Sequence, residues 1–210
     1  ASISSDDRFV SAAVRQSGVI RIPRPYDHGV NAVRALRLPP LRGSSLGLLC
    51  GSGGNCIISA DLAREYGFSF PAFPQEVTRA VAEQGRAGIM NLGNPMDLGD
   101  IFDGKVYAEA VKRVADLPFI DGVVAALFHL PKVPGNNTAM FRYNVESVFE
   151  QSQRTQRPIA MVHAGHPSHL AELVESSPMP LFPDLQDAFE GLAYQHAYWA
   201  WRAARDGARP

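Results

Sequence analysis

The sequence predicts an α/β fold, in which a doubly wound parallel sheet is covered by helices on both faces in three α/β/α layers. Short apolar segments typical of buried strands alternate along the chain with amphipathic segments typical of helices. Hydrophobic residues make up 46% of the 210 positions, so the chain can bury a substantial core. Its longest apolar run, residues 123–130, is far shorter than the roughly 20 residues needed to span a membrane.

Two helices and a short strand are predicted before the first core strand. Acidic residues at 6–7 favour the start of a helix, and Gly18 is a typical helix end. The apolar segment 19–22 predicts a short strand. The second helix is expected over 26–38, because the two consecutive prolines that follow cannot continue a helix. These elements make residues 1–40 a lead-in to the main domain.

Residues 41–210 are expected to form one flavodoxin-like domain, in which each strand is followed by at least one helix. Strands are predicted at 46–50, 123–130, 158–163 and 179–182, and helices at 57–67, from 74, at 105–116, 140–149 and 168–175, and from Asp184 onward. The segment 94–98, which contains an Asn-Pro pair, is predicted to be a loop.

A glycine-rich turn after the first core strand is the leading candidate for a binding site. It spans residues 51–55. Ligands of doubly wound sheets bind where strands end and helices begin, and glycine lets the backbone approach a ligand closely. The N–H groups that open the next helix favour an anion such as phosphate. A tight turn without a ligand is the alternative, and the turn alone does not decide between the two.

Charge and cysteine content exclude several classes of protein. With 20 basic and 21 acidic side chains the formal charge is −1, which argues against a nucleic-acid partner. The apolar runs are too short to predict a membrane segment. Only two cysteines occur and no basic-then-apolar leader opens the chain, so a cytoplasmic location is expected.

The order and spacing of four segments carry a resemblance to a known family. Residues 53–67 contain the glycine turn and its helix, and residues 94–98 read Asn-Pro-Met-Asp-Leu. Residues 9–20 precede these segments, and residues 178–189 form a strand, a Phe-Pro turn and a helix start. Together they resemble a flavodoxin-like CoA-ligase domain of the ADP-forming (NDP-forming) acyl-CoA synthetases, the succinyl-CoA synthetase superfamily. The likeness covers nearly the whole chain.

The resemblance implies a counterpart of the C-terminal domain of the succinyl-CoA synthetase β subunit. In that family a histidine on a neighbouring domain is phosphorylated, and two helix N-termini, one from each flavodoxin-like domain, point at it. The glycine turn matches one of these termini, and the end of the strand 123–130 matches a region that contacts the acyl substrate. The implied phosphate- and substrate-binding residues are Gly51, Ser52, Gly53, Gly54, Asn55, Phe128, His129 and Leu130, with Asn94 and Asp97 in support.

The resemblance also implies acid–thiol ligation through a phosphohistidine relay, to which this chain contributes one part. The phosphorylated histidine is expected upstream or on a partner, so no catalytic residue and no metal ligand is assigned here. The expected partners are CoA-binding and nucleotide-grasp domains or subunits, and the expected substrate is a small carboxylic acid or its acyl-CoA. ATP or ADP, Mg²⁺ and CoA are expected for the complete enzyme, with none bound by this chain alone.

A second interpretation, from a different class, is a non-catalytic binding module that keeps the fold and the anion-binding turn. Three departures from the family pattern favour it. Cys50 precedes the loop glycines where the family often has Asn, and Cys56 replaces a later glycine. The strand 123–130 is followed by proline and ends in His-Leu, where the family has a glycine pair.

Several polar side chains have two interpretations. His163, His166 and His169 could bind a metal, although solvated loop histidines are favoured because a third strong ligand in register is missing. Asp97 and Asp100 could bind Mg²⁺, although an Asp after Asn-Pro more often hydrogen-bonds its own turn.

The cysteines and the C-terminal aromatic residues are also open to two interpretations. Cys50 and Cys56 lie near a helix N-terminus, which lowers a thiol pKa, whereas a buried inert thiol is the commoner case. The last helix contains a group of aromatic residues that marks either a docking face, which would allow a homodimer, or part of the core: Tyr194, Tyr198, Trp199 and Trp201.

Overall fold

The computed structural model describes residues 6–84, 91–99, 101, 103–129, 132 and 137–207. Over these ranges the chain forms α1 (Asp7–Gln16), α2 (Pro25–Leu36), β1 (Leu46–Cys50), α3 (Gly53–Glu65), α4 (Gln75–Ala82), β2 (Met96–Asp97), α5 (Gly104–Ala115), β3 (Gly122–Phe128), α6 (Thr138–Thr155), β4 (Ile159–Ala164), α7 (Pro167–Ser176), β5 (Leu181–Phe182) and α8 (Leu185–Arg205). No helix in these ranges is both long enough and apolar enough to cross a membrane.

The five strands form one parallel sheet in the order β2-β1-β3-β4-β5. This is the flavodoxin-like order, in which the chain turns to opposite sides of β1 and leaves a crevice at the carboxyl ends of β1 and β3. The register aligns those ends, because Cys50 is opposite Asp97 of β2 and Ala126 of β3. At the next interface, Phe128 is opposite Ala164 of β4.

The strands are apolar along almost their whole length because helices cover both faces of the sheet. Every residue of β1 is buried, as are the first six of β3 and the first five of β4. Helix α3 packs against α8, and helix α5 packs against α4 and α6. The predicted α/β class and doubly wound topology are therefore confirmed.

Helix α2 packs along α8. The Gln195 side chain of α8 accepts the N–H of Leu41 at 3.0 Å and donates to the carbonyl of Ala35 at 2.6 Å. These bonds satisfy backbone groups around the end of α2 that burial would otherwise leave without water. Asn31 of α2 is also buried and donates to Glu190 of α8 at 3.0 Å.

One strand prediction and one loop prediction are wrong, and another predicted strand is shorter in the structure. Residues 19–22 form no strand; this connection lies at the surface, where Val19 is 56% exposed. The segment predicted as a loop contains β2, a two-residue edge strand. The last strand, predicted over 179–182, consists only of Leu181–Phe182.

Candidate functional site

The parallel strands bring Gly51, Asp97 and His129 to one edge of the sheet. The residues that directly follow β1 to β5 are Gly51, Leu98, His129, Gly165 and Pro183. Five helices, α3, α5, α6, α7 and α8, follow these strands within the described ranges. The edge therefore combines the glycine turn with the positive ends of helix dipoles.

The N-terminus of α3 differs from the other helix starts at this edge. Side chains cap α5, α6, α7 and α8: Asp103, Asn137, His166 and Asp184 each accept a backbone N–H of their own helix. Ser52, at the N-cap of α3, makes no such bond, and the first turn of α3 contains no acidic residue. Among the described helices that follow a strand, α3 alone has no side-chain cap at its N-terminus.

Three amides make up this anion-binding geometry. The first bond of α3 runs from the N–H of Cys56 to the carbonyl of Ser52 at 3.2 Å. The N–H groups of Gly53, Gly54 and Asn55 precede that bond and have no intrahelical acceptor. Three adjacent donors at the positive end of a helix favour a phosphate-sized anion.

Gly51 lies at the topological switch point and is packed against Phe128. A Cβ at position 51 would lie 2.7 Å from Cδ2 of Phe128, so only glycine fits there without displacing the ring. The N–H of Gly51 also donates to the carbonyl of Ala126 at 3.1 Å. The glycine turn and the end of β3 are thus in direct contact.

Asp97 places a carboxylate beside the first residue of α3. Its Oδ1 accepts the N–H of Gly99 at 2.9 Å, which closes the local turn. Its Oδ2 faces Gly53, where an added Cβ would lie only 2.8 Å away. Asp97 therefore both stabilises its own turn and presents one oxygen at the edge of the candidate anion site.

The side chain of Asn94 holds neighbouring backbone segments together. Its amide nitrogen donates to the carbonyls of Leu46 at 2.8 Å and Pro71 at 2.9 Å, and its Oδ1 accepts the N–H of Leu48 at 3.0 Å. These bonds continue the β1–β2 pairing beyond the two residues of β2. Asn94 thereby positions the turn that contains Asp97.

His129 and His163 form a buried pair at the ends of β3 and β4. Each side chain is about 2% exposed, and His129 Nδ1 lies 3.2 Å from His163 Nε2. His129 Nε2 lies 3.0 Å from the hydroxyl of Thr138, and both imidazole rings contact Phe141. His163 is therefore not the solvated loop histidine that the sequence suggests.

An open cleft of about 400 Å³ adjoins the glycine turn. Asn55, Ile58 and Leu62 of α3 form one wall. The other walls come from the ends of β4 and β5 and the start of α8, and comprise Val162, His163, Ala164, Gly165, Pro183, Asp184, Leu185 and Gln186. This cleft was not predicted from the sequence. The contact between His129 and His163 has a sequence signal, because two adjacent parallel strands both end in histidine.

The remaining predicted residues are placed as follows. His166 caps α7, with its Nδ1 3.3 Å from the N–H of Ser168. Leu130, Asp100 and the side chain of His169 lie outside the described residues. Within the described residues no group of three or more His, Cys, Asp or Glu side chains is arranged to hold a metal ion.

The two tryptophans are both partly buried. Trp201 packs under Gly18, and its indole nitrogen lies 3.3 Å from the carbonyl of Gln16. Trp199 lies between the guanidinium groups of Arg42 and Arg202, at 5.8 and 5.4 Å from its ring. Trp201 thus attaches the N-terminal helix α1 to α8 instead of contributing to an open docking face.

The fold and the site geometry define a flavodoxin-like α/β domain with a glycine turn and an uncapped helix N-terminus at its switch point. Comparison with solved structures supports this class. A dinucleotide-forming acetyl-coenzyme A synthetase 1 from Ca. Korarchaeum cryptofilum in its apo form aligns with a TM-score of 0.81 and 15% identity, over 100% of this chain and 45% of that one. A crystal structure of a Pyrococcus horikoshii OT3 protein aligns with a TM-score of 0.78 and 18% identity, over 93% of this chain and 44% of that one.

A curated relative supports the family resemblance seen in the sequence. The alpha subunit of an ADP-forming acetate–CoA ligase I from Pyrococcus furiosus is 22% identical over 206 residues, which cover 96% of this chain. The match covers 43% of that subunit, so the chain spans less than half the length of this relative. No model of a known protein family matches the chain. The resemblance to a CoA-ligase domain of ADP-forming acyl-CoA synthetases is confirmed.

Proposed function

We propose that this chain is the CoA-ligase domain of an NDP-forming acyl-CoA synthetase and receives a phosphorylated histidine from a partner domain. The uncapped N-terminus of α3 carries this proposal. Its three amides, from Gly53, Gly54 and Asn55, are arranged to stabilise the charge of a phosphoryl group during transfer. The Korarchaeum relative, whose structure was also solved with phosphate and ADP, has a TM-score of 0.79 to this chain.

Asp97 is proposed to hold the imidazole ring of the incoming phosphohistidine. A phosphorylated imidazole keeps one ring N–H when it is protonated, and a carboxylate is a suitable acceptor that orients the ring. The Oδ2 of Asp97 faces the first residue of α3, next to the proposed phosphate position. A carboxylate at this place would weaken the binding of a free anion, but it favours an anion attached to a cationic ring.

The surface around the turn is suited to a docked domain. Ile57 is 70% exposed and Ile58 is 54% exposed, and both lie on α3 beside the anion-binding amides. Adjacent exposed isoleucines at a polar site are typical of a surface covered by a partner. CoA-binding and nucleotide-grasp domains or subunits are the proposed partners. The complete enzyme would use ATP or ADP, Mg²⁺ and CoA with a small carboxylic acid, and its location in the cytoplasm stays a prediction.

Matched substitutions at Gly53 test the anion site. Gly53→Pro removes one donor, and the extended backbone of Ser52 (φ −164°, ψ 134°) accommodates a following proline. Gly53→Ala keeps the N–H and introduces the same Cβ contact with Asp97. In a phosphate titration followed by amide chemical shifts, residues 53–55 should respond in the parent chain and in Gly53→Ala, and the response should weaken severalfold in Gly53→Pro. Equal responses in the two variants would contradict the proposed site.

A comparison of two ligands separates the synthetase domain from a non-catalytic anion-binding module. N-phosphoimidazole should bind roughly five- to tenfold more tightly than inorganic phosphate, because the ring adds a charge-assisted bond to Asp97. Asp97→Asn should remove that preference, since an amide no longer supplies the charge. Equal affinity for the two ligands in the parent chain would favour the binding module. The test uses the whole chain, so its result does not depend on the boundary that we propose between the lead-in 1–40 and the domain 41–210.

A further inference from the structure

Helix α2 exposes an apolar stripe on the side that faces away from α8. Four large apolar side chains of this helix are between 50% and 99% exposed: Tyr26, Val30, Val33 and Leu36. Their spacing of three or four residues places them along one side of the helix. We call these four residues the outer stripe.

The side of α2 that packs against α8 combines polar side chains with the small residue Ala35. Asn31 is buried and donates to Asp187 at 2.7 Å and to Glu190 at 3.0 Å, and His28 contacts the same Glu190 carboxylate. A surface helix normally turns its apolar side toward the core and its polar side toward water. This arrangement is reversed in α2, so packing within the chain does not account for the outer stripe.

Arginines border the outer stripe at both ends of α2. Arg24 is the N-cap residue and Arg37 is the C-cap residue. Both are exposed, and neither forms an ion pair with another residue that the structure describes. Residues 21–42 contain five arginines and a single acidic residue, in a chain whose formal charge is −1. The outer stripe is therefore an apolar surface with a positive border.

We propose that the outer stripe is a docking surface for an acidic amphipathic helix of a partner protein or domain. The apolar side of that helix would cover the outer stripe, and its flanking carboxylates would pair with Arg24 and Arg37. An apolar centre with a charged, complementary rim is the usual anatomy of a protein interface. Bonds to α8 already hold α2 in place, so docking requires little further ordering. The proposal does not depend on phosphate binding at α3.

Charge disfavours a second copy of this chain as the occupant. In a twofold contact the same surface faces itself, so Arg24 and Arg37 would lie opposite arginines of the other copy. A membrane surface also fits less well, because helices that lie in the lipid interface are typically rich in Trp, Phe and Leu on their apolar side. Two of the four residues of the outer stripe are valines. An acidic helix matches both the apolar stripe and its positive border.

A synthetic helical peptide of about 18 residues serves as the probe. It has leucines along one side and glutamates on both flanks, and a matched peptide has lysines in place of the glutamates. In a titration of the full chain followed by amide chemical shifts, the acidic peptide should first shift residues 24–37. It should bind roughly tenfold more tightly than the lysine peptide. Added salt should reduce that difference, because the arginines are exposed to solvent.

Two substitutions in α2, each with a matched control on another helix, locate the binding surface. Val33→Ser interrupts the outer stripe and Arg37→Glu reverses one border charge, and each should weaken binding of the acidic peptide roughly five- to tenfold. Val174→Ser on α7 and Arg79→Glu on α4 change exposed residues of the same types and should leave binding unchanged. Circular dichroism verifies that all four variants are folded.

The proposal is overturned if neither peptide shifts the α2 amides, if both peptides bind equally, or if the control variants weaken binding as much as the α2 variants. Sedimentation velocity tests the second copy: a dimer that Val33→Ser dissociates would assign the outer stripe to self-association. Vesicles of equal parts phosphatidylcholine and phosphatidylserine test the lipid surface. Co-sedimentation of the parent chain that Val33→Ser abolishes would assign the outer stripe to the membrane, and either result would overturn docking of an acidic helix.

Discussion

The side chain of Asn94 accepts the backbone N–H of Leu48, 46 residues earlier in the sequence, at 3.0 Å. Its amide nitrogen donates to the carbonyl of Leu46 from the same position. Asn94 therefore acts as an extra strand residue along β1, although its own segment contains only two paired residues. The turn that presents Asp97 to the candidate site depends on this side chain.

Replacement of Asn94 should destabilise the whole domain. Asn94→Ala removes three hydrogen bonds and leaves the Leu48 N–H without its acceptor, so the free energy of unfolding should fall by roughly 2–3 kcal/mol. Asn91→Ala is the matched control, because Asn91 is exposed and its side chain bonds only the nearby N–H of Gly93. Urea denaturation of both variants checks the prediction, which requires a clear difference between them.

Glu190 should anchor helix α2 to helix α8. Its carboxylate contacts His28, accepts the amide of Asn31 at 3.0 Å and accepts the Tyr194 hydroxyl at 3.0 Å. Glu190→Ala should cost roughly 2–3 kcal/mol, because buried donors lose their acceptor.

Glu146→Ala, at an exposed position of α6, is the control and should change stability by less than about 0.5 kcal/mol. Denaturant titration of both variants provides the comparison. If the two variants were equally stable, the Glu190 cluster could not be an anchor.

Alkaline pH should destabilise the folded chain in part through Tyr194. Burial, followed by the hydrogen bond to the Glu190 carboxylate, raises the pKa of Tyr194 to about 12 from 10.0. Between these values the unfolded chain loses a proton that the folded chain keeps, so stability falls as the pH rises through this window. Below pH 10 the contribution is fully present.

Tyr194→Phe should therefore show a shallower loss of stability between pH 10 and 12 than the parent chain. Tyr143→Phe, at a residue of α6 that is 42% exposed, serves as the control. Thermal melts at several pH values give the two slopes. A slope for Tyr194→Phe that matched the parent's would show that this tyrosine is not responsible.

Trp201 should govern the attachment of α1 rather than global stability. Helix α1 has no buried residue, and Trp201 covers Gly18 at its end, where φ is +74°. Trp201→Ala should speed hydrogen exchange in residues 7–16 by roughly tenfold, while global unfolding changes by less than about 1 kcal/mol.

Trp199→Ala is the control, because the contacts of this indole are with the guanidinium groups of Arg42 and Arg202 and with Tyr198, whereas Trp201 packs against Gly18. Hydrogen exchange followed by mass spectrometry measures both variants. Unchanged exchange in α1 after Trp201→Ala would contradict the attachment.

The sequence alone determined the fold class and the position of the glycine turn. Both depend on local patterns: apolar runs such as β3, amphipathic helices such as α6, and a Gly-Ser-Gly-Gly segment between a strand and a helix. Gly51 and Phe128 were both named from the sequence, but their contact is seen only in the structure, where the carboxyl ends of adjacent parallel strands meet at one edge.

Only the tertiary structure decided which side chains are joined at that edge. Strand β2 is too short to carry a periodic signal, and it depends on Asn94, whose partners lie far away in the chain. His163 is buried because β4 carries it to His129 across the neighbouring strand end, a contact that its own sequence neighbours do not encode. Residues 19–22 have strand-like composition, but no strand in the described part of the chain pairs with them, so they remain at the surface as a connection.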